Sequence, residues 1–340
     1  MSDSILWCRE GAHIAILGAT GAVGREMIRC VDTLKLPVRK VDLLASARSA
    51  GKSLSTPWGS LTVHDAGHFD FRGVDIVLCS AGKSVSLALA DRIVSAGALM
   101  IDNTSAFRRD PKWPLVVPEV NGHLIALKPG IIANPNCSTI QAVVALKPLY
   151  DKFGIKRIVY STYQAVSGAG VAGYNDLKDG INGVAPKKFP QPIAYNMLPH
   201  IDVFMEDGYT KEEWKMIVET RKILHDQSLR VTATTVRVPV FYGHSESINV
   251  EFCKKCTRQD VVDALENFPG LVVMDDVKNN VYPTPLIAEN HDEVFVGRIR
   301  LDDSVDSGAN LWVVADNIRK GAATNAVQIV ELLIKNALEA

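Results

Sequence analysis

The first 135 residues are organised around runs of consecutive apolar positions. "H-I-A-I-L" at 13–17, "V-D-L-L-A-S" at 41–46, "V-D-I-V-L-C-S" at 74–80, "L-M-I-D" at 99–102 and "G-I-I-A-N" at 130–134 are continuous enough to be strands covered on both faces. Between them lie segments with helical spacing, "A-V-G-R-E-M-I-R-C-V" at 22–31 and "V-S-L-A-L-A-D-R-I-V-S-A" at 85–96. Buried strands alternating with helices predict a Rossmann-like, doubly wound parallel sheet.

After about residue 155 the period changes. "L-R-V-T-A-T-T-V-R-V-P-V" (229–240) and "E-V-F-V-G-R-I-R-L" (293–301) alternate residue by residue, as half-exposed antiparallel strands do. In the first, Val236, Val238 and Val240 share one face, and Thr235 and Arg237 the other. In the second, Arg298 and Arg300 alternate with Ile299 and Leu301. An α+β domain with a largely antiparallel sheet is expected there. The segment 318–338 returns to a helical period.

Composition narrows the function classes. The chain has 340 residues, 47% hydrophobic and 22% charged, with a net charge of -1. That length favours two domains, and near-neutrality gives no reason to expect nucleic acid or an anionic membrane as partner. No run approaches the ~18 apolar residues of a spanning helix. The N-terminus "M-S-D-S-I-L-W-C-R-E-G" lacks the pattern of a secretory signal, so a cytoplasmic protein is expected. Six scattered cysteines read as thiols.

Gly18, Gly21 and Gly24 form G-x-x-G-x-x-G at a strand-to-helix junction. Glycine there permits a tight turn and close backbone approach to a pyrophosphate at a helix N-terminus; the same spacing would also serve a turn without a ligand. The second strand ends "L-L-A-S-A-R-S-A-G", with Ser46, Arg48 and Ser49 where an NAD site usually has an acid. A guanidinium with hydroxyls suits a 2′-phosphate, which points to NADP; a plain exposed loop arginine is the alternative.

"I-I-A-N-P-N-C-S-T" (131–139) stops a strand at Asn134–Pro135 and is followed by a helical segment. Ser138 and Thr139 are good capping residues, placing Cys137 at or near a helix N-terminus, where the dipole favours thiolate. Cys79, inside an apolar run, reads as an inert buried thiol. His244 lies between two alternating segments, seven residues after Arg237. An arginine and a histidine at one end of a sheet could hold a carboxylate and move a proton, although a loop histidine is commonly just solvated. The C-x-x-C at Cys253 and Cys256 lacks a second pair for zinc, and Thr257 with Asp260 reads as a capping box. His64 and His68 flank a turn-like Gly67, so no metal is assigned.

Eight motifs occur in order: "G-A-T-G-A-V-G", "S-A-R-S-A-G", "D-N-T-S-A-F-R", "N-P-N-C-S-T", "Y-Q-A-V-S-G-A-G", "E-T-R-K-I", "V-R-V-P-V-F-Y-G-H-S-E" and "G-A-A-T-N-A-V-Q-I". Over essentially its whole length the chain resembles the bacterial aspartate-β-semialdehyde dehydrogenases. The resemblance implies NADPH-dependent reductive dephosphorylation of L-4-aspartyl phosphate to L-aspartate 4-semialdehyde and phosphate. It implies Cys137 as nucleophile, His244 as acid/base and Gln164 as the substrate-orienting amide. Arg237 would bind the substrate carboxylate, Glu219 its amino group, and Lys222, Arg108 (rather than Arg109) and Asn136 the phosphate. Thr20, Gly21, Ala22 and Val23 would hold the pyrophosphate, with Arg48 and Ser49 at the 2′-phosphate. Ser167 and Gly168 would lie near the nicotinamide, and Asn325 would be a cofactor contact. The implied layout is an NADP-binding domain at 1–137, a catalytic and dimerisation domain at 138–318, and a C-terminal helix (319–340) returning to the first, in a homodimer. N-acetyl-γ-glutamyl-phosphate reductase is the rival, but Glu219 would meet no ammonium there.

Overall fold

In the computed structural model, residues 10–339 are described, so Cys8 and nearly all of the N-terminal stretch read as lacking a secretory signal lie outside the described residues. The chain divides into two units, one formed by residues up to Pro135 with those from Ala322 on, the other by Asn136–Gly321.

The first unit holds a seven-stranded sheet in the order β3-β4-β2-β1-β5-β6-β7. Its strands are β1 (Ala12–Leu17), β2 (Val38–Ala45), β3 (Ser53–Thr56), β4 (Gly59–Asp65), β5 (Ile76–Cys79), β6 (Leu99–Asp102) and β7 (Gly130–Ala133). All neighbours pair in parallel except β3 with β4. The apolar runs are the buried central strands: every residue of β1, β5, β6 and β7 is buried. Helices α1 (Ala22–Thr33) and α2 (Lys83–Ser95) follow β1 and β5. Strand order reverses between β1 and β5, which opens a crevice at their carboxyl ends.

The second unit holds a six-stranded sheet in the order β11-β12-β13-β10-β8-β9. It comprises β8 (Ile155–Gln164), β9 (Arg230–Arg237), β10 (His244–Phe252), β11 (Leu271–Val273), β12 (Val294–Leu301) and β13 (Gly308–Ala315). Pairings β12–β13, β13–β10 and β10–β8 are antiparallel. The 229–240 segment departs from expectation in direction, because β9 runs parallel to β8. The alternation of β9 leaves open which face is buried. Ala233, Thr235 and Arg237 form its buried face and Val236 is only half-buried, so the polar stripe points inward. Helices α3 (Cys137–Phe153), α4 (Gly170–Gly180), α5 (Lys211–Ile223) and α6 (Arg258–Glu266) belong to this unit, and α6 starts with the Thr257/Asp260 capping box.

Helix α7 (Thr324–Glu339) lies in the first unit, where Val327, Ile329, Val330 and Leu333 join the core of Ile14, Ile16, Met27 and Val31. Its first turn is tied down by side chains. Both hydrogens of the Asn325 amide are given away, to Val116 O (3.1 Å) and Asn134 Oδ1 (2.6 Å), and Asn134 Nδ2 donates to Ala322 O (3.2 Å). Among the described residues no helix is long and apolar enough to cross a membrane.

Candidate active site

At the β1–β5 crevice, a cavity of about 630 Å3 is lined by Gly18, Thr20, Gly21, Ser46, Arg48, Ser49, Asp65 and Ser80 among others. The glycines there have different reasons. Gly18 has φ +93°, and a Cβ on it would stand 2.9 Å from Ala81 N; one on Gly24 would stand 2.2 Å from Gly18 O. Packing alone demands these two. Gly21 meets only Gly18 O, at 3.3 Å, and borders the cavity, so its small size leaves room for a ligand. Gly21 is also the N-cap of α1, which begins with Ala22 and Val23, and its side-chain-free cap leaves the helix N–H groups without a side-chain acceptor. Ser46, Arg48 and Ser49 sit on a one-turn 3-10 helix just past β2, with Arg48 exposed. The single acid named in this lining, Asp65, is engaged by the His68 ring (2.8 Å) and Gly67 N–H (3.1 Å). A dinucleotide with an anionic ribose substituent fits these donors.

Arg108, also in the first unit, is buried, with Nε donating to Asn134 O (2.9 Å) and Nη2 to Asn103 O (3.0 Å).

The second unit gathers the remaining candidates at one end of its sheet. Since β8 and β9 are parallel and β10 antiparallel to β8, the last residues of the first two and the first residue of the third lie at the same end. Gln164 pairs with Arg237, and Tyr163 with Ser245. β8 stands between β9 and β10, so the six residues from 238 to 243 cross it and deliver Arg237 and His244 to the same edge. His244 therefore begins a strand and is fully buried, where a solvated turn was the alternative.

Cys137 is the first residue of α3, as its sequence context predicts, but the cap is its predecessor. Asn136 is extended (φ -61°, ψ 144°) and its Oδ1 accepts from Ser138 N (3.1 Å) and Thr139 N (3.2 Å); Ser138 and Thr139 lie inside the first turn. Asn136 is held in turn from α5. Its backbone N–H donates to Glu219 Oε2 (2.7 Å) and its Nδ2 to Glu212 Oε1 (2.8 Å). The partly exposed thiol of Cys137 acts electrostatically on Arg237. On its other side Gly321 comes so close that a Cβ there would stand 2.9 Å from Cys137 Cβ. Cys79, by contrast, is pushed up to about 12 by burial and Asp102, as an inert thiol should be.

Two residues not singled out by the sequence join this cluster. Glu212, in the first turn of α5, accepts from Asn136 and from Gln164 Nε2 (3.4 Å) and pairs with Lys215 (3.1 Å). Burial alone would raise its carboxyl, yet Lys215, the Asn136 amide and Arg237 hold it below 4.5. The carboxylate grouped with Arg237 and Gln164 is Glu212, whereas a Glu219 oxygen accepts from the Asn136 backbone N–H; this geometry offers Glu212, rather than Glu219, as a partner for a ligand's amino group. Lys215 is mostly buried and bridges Glu212 and Asp202, whereas Lys222, also on α5, is half-buried. A Glu and Lys three apart at a helix start look like ordinary dipole and pair chemistry, so the sequence hides them.

Arg237 is buried, donates from Nη1 to Ala165 O (2.6 Å) and lies 5.9 Å from the Phe189 ring centroid. Its Nε has no hydrogen-bond partner among the described residues. His244 Nδ1 accepts from Ala165 N–H (3.0 Å), and burial first, then Arg237, keep the ring well below 6.5. Gly168 abuts both: a Cβ there would stand 2.9 Å from Arg237 Nη1 and 3.2 Å from His244 Nε2. Ser167 exchanges hydrogen bonds with Asn317, whose Oδ1 also takes Gly243 N–H (3.0 Å). A thiol at a helix mouth, a buried guanidinium, a neutral imidazole, a carboxylate and an amide can together bind a zwitterionic acyl group and stabilise covalent addition.

Comparison with known proteins is consistent across sequence and fold. Residues 13–128 match the semialdehyde dehydrogenase NAD binding domain, and 146–320 the semialdehyde dehydrogenase dimerisation domain. The chain is 55% identical to aspartate-semialdehyde dehydrogenase of Aquifex aeolicus, over 96% of this chain and 99% of that one. It belongs to the aspartate-semialdehyde dehydrogenase family. Within that family, the structure of aspartate semialdehyde dehydrogenase II from Vibrio cholerae, complexed with ASA, superposes with a TM-score of 0.92 at 49% identity, covering 96% of this chain and 98% of that one. The Candida albicans family member with NADP gives 0.76 at 28% identity, covering 96% and 99%.

Proposed function

We propose that this chain is an NADP-dependent, phosphorylating aspartate-semialdehyde dehydrogenase. It would convert L-4-aspartyl phosphate to L-aspartate 4-semialdehyde in the route to lysine (through diaminopimelate), methionine, threonine and isoleucine. The observation that carries this reading is the cluster of Cys137, Gln164, Glu212, Arg237 and His244 at one sheet end in a member of this family.

The thiolate of Cys137 attacks the acyl carbon, the carbon–oxygen bond to phosphate breaks, and phosphate leaves with the electron pair. A thioester results. When bound, the nicotinamide supplies the hydride that takes this acyl group to the aldehyde level. As the carbon–sulfur bond breaks the thiolate returns, and the proton balancing the reaction ends on phosphate. Arg237 holds the substrate carboxylate, a task for a planar fork, and Glu212 takes over from Glu219 as partner of the ammonium. Gln164 orients the acyl group, and Arg108, Lys215, Lys222 and Asn136 are the candidates for phosphate. Arg48, Ser46 and Ser49 favour NADP over NAD, Thr20, Gly21, Ala22 and Val23 would hold the pyrophosphate, Ser167 and Gly168 stay candidates for the nicotinamide side, and Asn325 stays a candidate cofactor contact. The chain works as a cytoplasmic homodimer; the half-buried face of the second sheet, with Tyr163, Ser247 and Trp312, offers surface for the pairing.

The test is phosphate-dependent reduction of NADP with aspartate semialdehyde, run beside the N-acetylglutamate semialdehyde. Turnover of the first substrate is expected; turnover of the acetylated one alone would establish the reductase instead, which the relatives named above give no support.

A further inference from the structure

Both peptide groups of one residue grip the site. The Ala165 N–H donates to Nδ1 of His244, and the Ala165 carbonyl accepts from Nη1 of Arg237. A hydrogen-bond donor facing Nδ1 requires a lone pair there, so the neutral ring must carry its proton on Nε2. Turning the ring over would set a C–H against the buried amide and leave that N–H without an acceptor. Forming the imidazolium would set two N–H groups against one another. Nε2 itself is buried without a partner among the described residues, and it borders Gly168 beside the Arg237 guanidinium.

We propose that the Ala165 backbone locks His244 as the neutral Nε2–H tautomer, making it a fixed hydrogen-bond donor to the substrate's acyl oxygen and not the base that takes the Cys137 proton. The role of the oxygen rests on the function proposed above; the tautomer does not. The covalent cycle is consistent with such a donor. It begins and ends with the thiolate of Cys137, so no proton has to leave sulfur in each turnover. What does recur is negative charge on the acyl oxygen, in the tetrahedral species before phosphate departs and again before sulfur departs. A preorganised donor stabilises that charge without reorganising. Arg237 is the charged group acting on the ring, and Glu212 and Cys137 act in turn on Arg237; burial and the guanidinium both oppose imidazolium. Ala165 is here a positioning residue that works through its backbone.

The decisive measurement is long-range 1H–15N correlation NMR on 15N-histidine-labelled full-length protein, with the His244 signal assigned by its loss in His244→Gln. Expected is a proton on Nε2 and none on Nδ1, unchanged across about pH 5 to 8. A proton on Nδ1, or conversion to imidazolium within that range, would overturn the proposal. Ala165 has φ -63°, which a proline ring accepts, so Ala165→Pro removes the N–H donor and sets the ring Cδ against Nδ1, releasing the imidazole from its present seat. In folded Ala165→Pro the Nδ1–H form should become detectable; an unchanged tautomer would show that the backbone does not set it. Alkylation of Cys137 by iodoacetamide, followed by peptide mass spectrometry, should keep its pH profile in His244→Asn to within about twofold in rate. A profile shifted to higher pH by a unit or more would restore His244 as the thiol's base. These readouts need no substrate, so failure of the semialdehyde assay and failure of the tautomer assignment are separate results.

Discussion

The crevice at β1 and β5 is lined by backbone and short polar side chains at the water's edge, whereas the end of β8, β9 and β10 is built from buried charges that hold one another. In the first, Gly18, Thr20 and Gly21 come from one stretch and Ser46, Arg48 and Ser49 from another. In the second, Asn136 and Cys137, Gln164, Glu212 and Lys215, Arg237 and His244 come from five separate segments. An exposed cradle recognises a ligand by geometry that survives the loss of one contact. A buried cluster couples every member to the rest, so one change there reaches both chemistry and stability.

Four substitutions test how sharp that contrast is. The largest effect is expected for Cys137→Ala. It should lower kcat by about 10^4-fold or more while NADPH affinity, read by fluorescence titration, stays as in the wild type; retained turnover would remove the nucleophile. Gly321→Ala comes next. Its methyl would stand 2.9 Å from Cys137 Cβ, and displacement of the thiol by a fraction of an ångström should cost roughly 10- to 100-fold in kcat with cofactor affinity intact. Equal kinetics in the alanine variant would mean that the backbone yields there freely. Arg48→Ala belongs to the cradle. It should raise KM for NADPH roughly tenfold, through loss of a charge-assisted bond, and narrow the preference over NADH, leaving kcat unchanged. A fall in kcat would break the contrast.

The smallest effect concerns stability alone. Glu246 is buried on β10, its oxygens unpartnered apart from proximity to Ser138, and burial raises its carboxyl well above 4.5. The folded state therefore prefers the protonated acid. Its contribution to stability is full below 4.5 and is lost as pH rises toward the folded value, because the unfolded chain ionises first. Glu246→Gln cannot ionise, so it should melt higher than the wild type at pH 8, by roughly 2 °C or more, with the gap closing toward pH 4.5. A gap independent of pH would show that the carboxyl is not the cause.

The parallel sheet was legible because a strand buried on both faces leaves a continuous apolar run, as in β1 and β5. The glycine turn and the thiol at a helix mouth were legible because each is a local pattern with a local reason. The direction of β9 was not, since residue alternation is the same in parallel and antiparallel pairing. Thr235 and Arg237 face inward because helix α5 brings polar groups to meet them. The Thr210 hydroxyl that caps this helix meets the Thr235 hydroxyl (3.5 Å), and Glu212 acts electrostatically on Arg237. Such matching exists only once strand and helix are side by side. For the same reason Glu212 and Lys215 looked like helix-start decoration, and Asn325, with both amide hydrogens spent inside its own unit, could be placed only through resemblance.

The division of the chain also constrains the order in which it is made. Asn136–Gly321 is one uninterrupted stretch, while the first unit needs the segment from Ala322 on to complete it. On a ribosome, the second unit can therefore finish folding while the first still lacks α7 and the core contacts of Val327 and Val330. Gly321, the last residue before the chain returns, is also the one that closes against Cys137. A nascent chain thus carries Cys137 without that neighbour until Gly321 itself has been made.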